Sequence, residues 1–276
     1  MQSAFCRFFA LVFSLQAARA ASVDTISIYS EAMHRSYKCV VIKPQAYSHG
    51  KKELFPVVYI LHGYDGWYSN WLIRVPQLKD YADNLKMILV CPDGAKSSWY
   101  FDSPVDSSMR YETYIGKEVP EYIDSHYRSI KNRNGRAICG LSMGGHGALF
   151  LAFRHAETFG ACASMSGVVN LASSHTKYDI VKRIGDTLTY ADNWINYSIV
   201  NVVSHYPKDS LAIMIDCGVG DVFIAANREL HEKMLQLKIP HDYTERPGKH
   251  EWAYWRNWIQ YQLLFFRNYF NTHLTP

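Results

Sequence analysis

The 276-residue sequence has no long run of lysine or arginine, its acidic and basic residues are scattered, and its formal net charge is only +4. Without a clustered basic surface, charge gives no reason to expect a nucleic-acid partner. Internal repeats, low-complexity tracts and linker-like stretches are also absent from the sequence. A chain of this length can bury a full α/β core, so we expect one domain rather than several.

Metal-ligand spacing is missing from the cysteines as well, and no metal site is predicted from them. Cys6 lies in the N-terminal leader discussed below, and the remaining cysteines are odd in number, each inside or at the end of a predicted buried strand: Cys39, Cys91, Cys139, Cys162 and Cys217. Cysteines in such strands behave mostly as small apolar core residues. We therefore predict free thiols, although export would permit one disulfide.

The N-terminus has the composition of a secretory signal. Arg7 precedes an apolar run over 8–15, and the small-residue site Ala18-Arg19-Ala20 follows it. The run is too short for a permanent membrane span. Cleavage after Ala20 would leave a mature chain of 21–276, secreted or periplasmic and without membrane attachment.

The mature chain alternates strand-like and helix-like segments. Strands are predicted at 25–29, 37–42, 57–61, 87–91, 137–141, 161–165, 211–215 and 240–245, and helices at 111–127, 143–155, 223–237 and 252–270. The first two strands are expected to pair antiparallel, and Pro120 should kink or divide the first helix. Continuous apolar strands such as 57–61 are typical of parallel sheets covered on both faces. The pattern predicts a three-layer αβα fold with a mostly parallel, doubly wound sheet.

A serine between close glycines, Gly140-Leu141-Ser142-Met143-Gly144, separates the strand at 137–141 from the helix at 143–155. Such a strand-to-helix turn is the nucleophile elbow of serine hydrolases, and its tight backbone leaves no room for a Cβ at Gly140 or Gly144. The alternative is a glycine-rich connection with an incidental serine. The strand before and the helix after favour Ser142 as a nucleophile.

Acyl transfer at an elbow of this kind needs two backbone N–H donors for the oxyanion. One donor follows the nucleophile, at Met143. The loop His62-Gly63-Tyr64-Asp65-Gly66 after the strand at 57–61 can supply the second, at Tyr64, although an ordinary glycine turn is also compatible with this pattern.

A serine hydroxyl needs a histidine base, and in this architecture the chain order is serine, acid, histidine. His250 follows Pro247-Gly248-Lys249 in the loop between the last strand and the last helix. Three other late histidines are expected in a helix, at the start of a strand and in the C-terminal tail: His231, His241 and His273. Only His250 occupies a position suited to the base.

Two aspartates compete for the acid. Asp216 lies at the end of the strand at 211–215, whereas Asp221 follows a Gly-Val-Gly loop that can turn its carboxylate toward His250. We prefer Asp221. Either residue could instead hold a strand end or cap a helix.

The segment 168–208 keeps no periodicity for long and carries several aromatic residues. In this architecture such an insertion commonly caps the site, and surface helices are the equally weighted alternative. Candidate pocket residues are Trp67, Trp71, Trp99, Tyr190 and Trp194. Core packing remains the competing explanation for any single tryptophan.

Five motifs, GLSMGGHGAL, LHGYDG, CPDG, CGVGD and PGKHEWAYW, span most of the mature chain. Together they resemble the putative-esterase family, which includes esterase D, S-formylglutathione hydrolases, and bacterial feruloyl and acetyl esterases. The resemblance implies an α/β-hydrolase fold, Ser142 as nucleophile, Asp221 as acid, His250 as base, oxyanion amides at Tyr64 and Met143, a carboxylic-ester substrate and no cofactor. The leader disfavours the cytosolic S-formylglutathione branch.

For an exported member of such a family, we expect feruloyl or acetyl groups on carbohydrate as the substrate. The enzymatic alternatives are an acyltransferase, because the first half-reaction is identical, and a thioesterase of the S-formylglutathione hydrolase type. A carbohydrate-binding protein on a hydrolase fold is the non-enzymatic one, and a complete triad in the expected chain order argues against it.

Overall fold

A computed structural model of the chain describes residues 20–50, 52–205 and 211–274. The leader predicted over 1–20 therefore lies almost wholly outside the described residues. In the described part, the strands are β1 (Ser22–Ser30), β2 (Arg35–Lys43), β3 (Val57–Leu61), β4 (Ile88–Pro92), β5 (Arg136–Leu141), β6 (Ala161–Met165), β7 (Ala212–Gly218) and β8 (Asp242–Arg246).

These strands form one sheet in the order β1-β2-β4-β3-β5-β6-β7-β8. The β1–β2 and β2–β4 pairs are antiparallel, and every later pair is parallel. The predicted mostly parallel sheet and its antiparallel opening pair are thus confirmed. The strand that ends just before Ser142, β5, lies in the middle of the parallel part, so the serine is at the carboxyl edge where ligands of open sheets bind.

The helices are α1 (Asn70–Arg74), α2 (Leu78–Leu85), α3 (Tyr111–Thr113), α4 (Val119–His126), α5 (Met143–Arg154), α6 (Val181–Ile184), α7 (Ala191–Asn196), α8 (Ile199–Val202), α9 (Ile224–Gln236) and α10 (Trp252–His273). Buried residues of α5 and α9 pack on one face of the sheet, and those of α2 and α10 pack on the other. Alternate residues of β3 enter the two cores: Tyr59 and Leu61 face α5, and Val58 and Ile60 face α10. The three-layer arrangement follows from this alternation.

The strand before the two candidate aspartates extends further than predicted. The sequence places Asp216 at the end of the strand, but β7 continues to Gly218 because its last residues pair with β8, Asp216 opposite Thr244 and Gly218 opposite Arg246. Strand pairing of this kind is not visible in the local pattern, since Cys217-Gly218 looks like a turn.

The helix predicted at 111–127 is present over Tyr111–His126 with a change of type inside it. A π-helical segment, Tyr114–Glu118, joins α3 to α4, and Pro120 is near the start of α4. Proline has no N–H to donate to the helix. The expected division is found as a π segment rather than as a break.

The five cysteines that follow the leader are free and buried, in agreement with the prediction. Burial raises the pKa of the Cys91 thiol to about 12, which keeps it protonated and unreactive. Among the described residues, no helix is both long and apolar enough to cross a bilayer. The same residues contain no group of three or more His, Cys, Asp or Glu side chains arranged to hold a metal ion.

Candidate active site

Ser142 lies on the tight turn between β5 and α5. Its backbone has φ 53° and ψ −118°, a conformation that a residue with a side chain rarely adopts. The turn is held on both sides: the Ser142 N–H donates to the Met165 carbonyl at 2.9 Å, and the His146 N–H donates to the Ser142 carbonyl at 3.0 Å. These bonds maintain the strained conformation that points the serine away from the sheet.

Close backbone contacts require glycine at the positions around the serine. A Cβ on Gly140 would lie 2.5 Å from the Gly144 carbonyl oxygen, and a Cβ on Gly144 would lie 2.5 Å from the carbonyl oxygen of His62. No real Cβ tolerates backbone atoms at this distance. The expected lack of room at Gly140 and Gly144 is therefore confirmed.

Three side chains from distant parts of the sequence form a continuous hydrogen-bonded chain. His250 Nε2 lies 2.9 Å from Ser142 Oγ, and His250 Nδ1 lies 2.9 and 3.1 Å from the two carboxylate oxygens of Asp221. The Asp221 side chain is fully buried, whereas that of His250 is 21% exposed. The structure thus brings together the serine, histidine and aspartate named from the sequence.

The loops that carry Asp221 and His250 are tied to each other. The Val219 N–H donates to the Arg246 carbonyl at 2.8 Å, and the Gly220 N–H donates to the Gly248 carbonyl at 2.9 Å. The Phe223 N–H donates to Asp221 Oδ1 at 2.9 Å. These bonds fix the carboxylate against the imidazole, since both loops must move together.

The imidazole itself is clamped by aromatic rings. Phe223 and Trp255 each pack edge-on against His250 with ring centroids 4.9 Å apart. The Trp255 indole N–H donates to Ser166 Oγ at 3.2 Å, which anchors one side of the clamp to the end of β6. Two packed rings and the Asp221 carboxylate together restrict the rotation of the histidine.

The competing aspartate, Asp216, has a different environment. It is buried beneath α10, where it forms an ion pair with Arg246 and accepts a hydrogen bond from the Tyr254 hydroxyl. The Arg246 guanidinium also lies 4.2 Å from the Trp258 ring centroid. Asp216 therefore links β7, β8 and α10, and it does not contact His250.

The backbone amides of Tyr64 and Met143 are the expected oxyanion donors. Among the described residues, neither N–H donates to another backbone carbonyl, whereas the neighbouring Asp65 and Gly66 amides donate to Lys96 and Gly63. Tyr64 and Ser142 line the same cavity, and Met143 is the first residue of α5. Two unused donors beside a serine hydroxyl are suited to binding a negatively charged oxygen.

The groups that hold the Tyr64 loop could not be identified from the sequence pattern. His62 is buried, with Nδ1 2.8 Å from the Gly63 carbonyl oxygen and Nε2 accepting the Gly94 N–H at 2.8 Å. The Tyr100 hydroxyl donates to the His62 carbonyl at 2.9 Å. Burial lowers the pKa of His62, which favours the neutral ring that these two bonds require. The one indication in the sequence was His62 itself, at the start of the loop. Its partners Gly94 and Tyr100 lie after β4 and are distant in sequence.

A cavity of about 370 Å³ opens beside Ser142 and His250. Its size suits a small organic ligand. The lining residues are Gly63, Tyr64, Asp65, Gly66, Trp67, Asn70, Arg74, Leu141, Ser142, Tyr178, His250, Trp252 and Trp255. Of the five pocket residues expected from sequence, only Trp67 is among them.

The other four are placed elsewhere. Trp71 is buried in the core, where its indole N–H donates to the Leu61 carbonyl at 2.9 Å. Trp99 and Trp194 are core residues whose indole N–H groups donate to the Tyr178 and Gly185 carbonyls. Tyr190 is 42% exposed and packs close to Gly185. The expectation was wrong for these four because aromatic residues near a site in sequence also supply its supporting core.

In the described part of the segment 168–208, one residue, Tyr178, lines the cavity. Its ring packs edge-on against the Tyr64 ring with centroids 5.4 Å apart. The next residue, Asp179, accepts a hydrogen bond from the Tyr64 hydroxyl at 3.1 Å. Tyr178 and Asp179 both have positive φ, of 60° and 56°. This strained turn brings the segment against the Tyr64 loop, which the sequence pattern did not indicate.

The described remainder of the segment packs behind the nucleophile helix. His146 of α5 is buried, and its Nε2 lies 2.8 Å from the Tyr197 carbonyl oxygen. Burial lowers the pKa of His146 to about 4, against the raising effect of the Tyr197 bond. His146 is neutral near pH 7 and joins α5 to the segment that carries Tyr178.

The histidines rejected from sequence are away from the site. His231 and His241 lie 2.8 Å apart, Nδ1 to Nε2, between α9 and β8, and His231 stacks on Tyr243. His273 ends α10, with Nδ1 2.9 Å from the Tyr269 carbonyl oxygen. None of the three lines the cavity.

The sequence of this chain is similar to those of known esterases and of an acyltransferase. The model of a family described as putative esterase matches residues 30–266. An acetyl esterase from Caldicellulosiruptor saccharolyticus is 24% identical over 257 residues, 86% of this chain and 95% of that protein. A diacylglycerol acyltransferase/mycolyltransferase from Mycobacterium leprae is 32% identical over 183 residues, 62% of this chain and 53% of that protein.

Two solved structures of hydrolases have a similar fold. A ferulic acid esterase has a TM-score of 0.78 and 29% identity, covering 91% of this chain and 99% of its own. An S-formylglutathione hydrolase from Agrobacterium tumefaciens has a TM-score of 0.75 and 22% identity, covering 94% and 99%. The second likeness concerns the fold alone. Both structures agree with the α/β-hydrolase architecture expected from the sequence.

Proposed function

Because the chain belongs to the putative-esterase family and is a serine esterase, we propose that it hydrolyses esters in which a feruloyl or acetyl group is attached to carbohydrate. The observation that carries the proposal is the hydrogen-bonded chain from Asp221 through His250 to Ser142 beside an open cavity. An acetyl esterase and a ferulic acid esterase are among the proteins similar to this chain, which supports the choice of acyl group.

In the first half-reaction, His250 Nε2 takes the Ser142 proton as the serine oxygen attacks the ester carbonyl. The Tyr64 and Met143 amides hold the oxyanion of the tetrahedral intermediate. His250 then gives the proton to the leaving sugar hydroxyl. Asp221 keeps the imidazole in the tautomer that presents Nε2 to the serine and stabilises the imidazolium that forms between these steps.

In the second half-reaction, His250 removes a proton from water, which attacks the acyl group on Ser142. The oxyanion forms again at the same two amides, and the proton returns to the serine oxygen as the carboxylic acid departs. Besides the ester and water, the groups that act in these two steps belong to the chain: His250 is the base, Ser142 is the nucleophile, and the Tyr64 and Met143 amides are the oxyanion donors.

A panel of esters tests this proposal on the purified mature protein. Feruloyl and acetyl esters of xylose or arabinose should be hydrolysed with kcat/KM above that of the corresponding methyl or ethyl esters, because the sugar adds binding in the cavity. S-formylglutathione, as a thioester, belongs in the same panel. Turnover of the thioester with none of the sugar esters would contradict the carbohydrate assignment while leaving the acyl-enzyme mechanism intact.

Acyl transfer to another alcohol is the second candidate, because the similar mycobacterial protein is a diacylglycerol acyltransferase/mycolyltransferase. Its first half-reaction is the same, and an acceptor hydroxyl replaces water in the second. Adding increasing concentrations of a sugar or glycerol acceptor and measuring free acid against new ester separates the two. Free acid as the main product at every acceptor concentration is expected for the hydrolase.

We also propose that the protein is exported and cleaved after Ala20, on the strength of the leader sequence. Expression in a bacterial host with a working export pathway should yield a chain that begins at Ala21 outside the cytoplasm. N-terminal sequencing gives the answer, and retention of an intact leader on cytoplasmic protein would contradict the proposal.

A further inference from the structure

Arg74 lines the cavity beside Ser142 and forms no ion pair with any residue that the structure describes, and from this we infer that the sugar part of the substrate bears a carboxylate, as a uronic acid does. Arg74 is assigned as the residue that binds it, with Asn70 as a second donor. The inference rests on the proposed function, since it names the alcohol from which the acyl group is removed.

The other charged side chains near the cavity have partners within the protein, and the Asp221 carboxylate is bonded to His250. Asp65 and Arg74 are the lining side chains with a permanent formal charge. Asp65 lies 3.6 Å from Lys96, and Asp179, which contacts the lining residue Tyr64, lies 2.9 Å from Lys182. Among the residues that the structure describes, no carboxylate forms an ion pair with Arg74. An anionic ligand would supply the missing partner.

Helix α1 presents two donors to the same space. Asn70 and Arg74 are its first and last residues, four positions apart, and therefore lie on one face. Asn70 is only 7% exposed and lines the cavity, and its Oδ1 accepts the Trp67 N–H at 2.9 Å. The amide NH₂ of Asn70 and the guanidinium of Arg74 remain available. A planar oxyanion is the group that a guanidinium fork binds best.

The donors are on the side from which the alcohol leaves. A histidine that protonates the leaving oxygen must be adjacent to it, so the alcohol occupies the His250 side of the cavity. Trp252 follows His250 by two residues at the start of α10 and lines the cavity. The Arg74 guanidinium lies 5.8 Å from the Trp252 ring centroid. Arg74 is therefore placed to contact the sugar rather than the acyl group.

The test compares three substrates that carry acetate on the same hydroxyl: methyl glucuronide, methyl glucoside and methyl glucoside phosphorylated on its primary hydroxyl. The first two differ only in the carboxylate. For the wild-type protein at low ionic strength, kcat/KM for the glucuronide should exceed that for the glucoside by about tenfold, the size of one charge-assisted hydrogen bond. Added salt should reduce this ratio, because the guanidinium is exposed.

Variants assign the preference to one side chain. Arg74→Gln should bring the ratio close to one and remove its salt dependence, and Arg74→Glu should reverse it. Arg35→Gln is the matched control: Arg35 is exposed and lies 5.6 Å from the Tyr37 ring centroid, as Arg74 does over Trp252, but it is outside this cavity. The control should keep the wild-type ratio.

A ratio near one in the wild type, or a preference that Arg74→Gln leaves in place, overturns the inference while the esterase proposal stands. A stronger preference for the phosphate than for the carboxylate overturns the assignment to uronic acids. Failure to hydrolyse any of the three sugar esters, with simple esters still turned over, overturns both the inference and the carbohydrate assignment.

Discussion

The two sides of the cavity are built from different kinds of structure. Around Ser142, every residue from 136 to 153 is buried, and glycine backbones touch each other without intervening side chains. The opposite rim is half-exposed and comes from loop residues and helix ends: Trp67, Arg74, Tyr178 and Trp252. The buried side holds reacting atoms at fixed distances, and the exposed rim can vary without disturbing them.

This difference suggests a division of roles. Changes to the buried chain of Ser142, His250 and Asp221 should remove the reaction, because each group acts on another at hydrogen-bond distance. Changes to the rim should alter which ester is preferred. Substitutions on the two sides are therefore expected to have effects of different kinds as well as different sizes.

The largest effect is expected from Ser142→Ala. Loss of the nucleophile should lower kcat by about 10⁴ to 10⁶-fold. The fold should be retained, because one hydroxyl is removed and the turn is held by backbone bonds. Steady-state kinetics and thermal unfolding on the same preparation check both halves of the statement. Substantial turnover by a folded variant would remove Ser142 from the mechanism.

The next largest effect is expected to distinguish Asp221, in the loop after β7, from Asp216, near the end of β7. Asp221→Asn should lower kcat by about 10⁴-fold, since the amide favours the wrong histidine tautomer. Asp216→Asn should lose far less activity but lower the free energy of unfolding by about 3 kcal/mol, because Arg246 is left without its carboxylate. Paired kinetics and urea unfolding give the comparison. A larger kinetic defect in the Asp216 variant would reverse the assignment.

The third effect concerns His146, which joins the buried side to the segment carrying Tyr178. Its folded pKa of about 4 is below the ordinary value of 6.5. Between these values the unfolded chain binds more protons than the folded one, so stability present near pH 7 is lost as the pH falls. The loss attributable to His146 should approach about 3 kcal/mol by pH 4.

His146→Gln keeps a donor for the Tyr197 carbonyl but does not titrate. Urea unfolding at pH 7 and pH 4.5 should show a smaller pH dependence in this variant than in the wild type. Equal pH dependence in the two proteins would mean that His146 does not limit stability in acid.

The smallest effect is expected on the rim. Tyr178→Ala should change the ratio of feruloyl to acetyl turnover by about ten- to two-hundred-fold, because an aromatic acyl group loses apolar contact that acetate does not make. Tyr190→Ala is the matched control, the same substitution in the same segment but outside the cavity. A similar change of ratio in both variants would show that the segment acts through stability rather than through contact.

The sequence predicted the buried side well because its constraints are local. A serine between glycines, with a strand before and a helix after, specifies the turn directly. Of the four late histidines, only His250 lies in the loop between the last strand and the last helix. Asp221 was preferred over Asp216 on the same local ground, the Gly-Val-Gly turn before it. The structure places Asp221 at hydrogen-bond distance from His250.

The rim could not be predicted in the same way because it is assembled by tertiary packing. Trp71 and Trp67 are four residues apart, yet one is buried and the other is 46% exposed. Trp252 is the first residue of the helix predicted at 252–270, and this position does not indicate that it lines the cavity. Tyr178 was not singled out at all, because the positive φ values that turn it inward have no glycine to mark them.

The central claim is that Ser142 is the nucleophile and that His250 activates it. A fluorophosphonate probe tests this directly, since attack by the serine oxygen displaces fluoride and leaves a stable phosphonyl ester. Intact-mass and peptide mass spectrometry should show a single added phosphonyl group, on Ser142, formed much more slowly in His250→Ala and absent in Ser142→Ala. Labelling of a different residue, or equal labelling rates in the wild type and the His250 variant, would contradict the account.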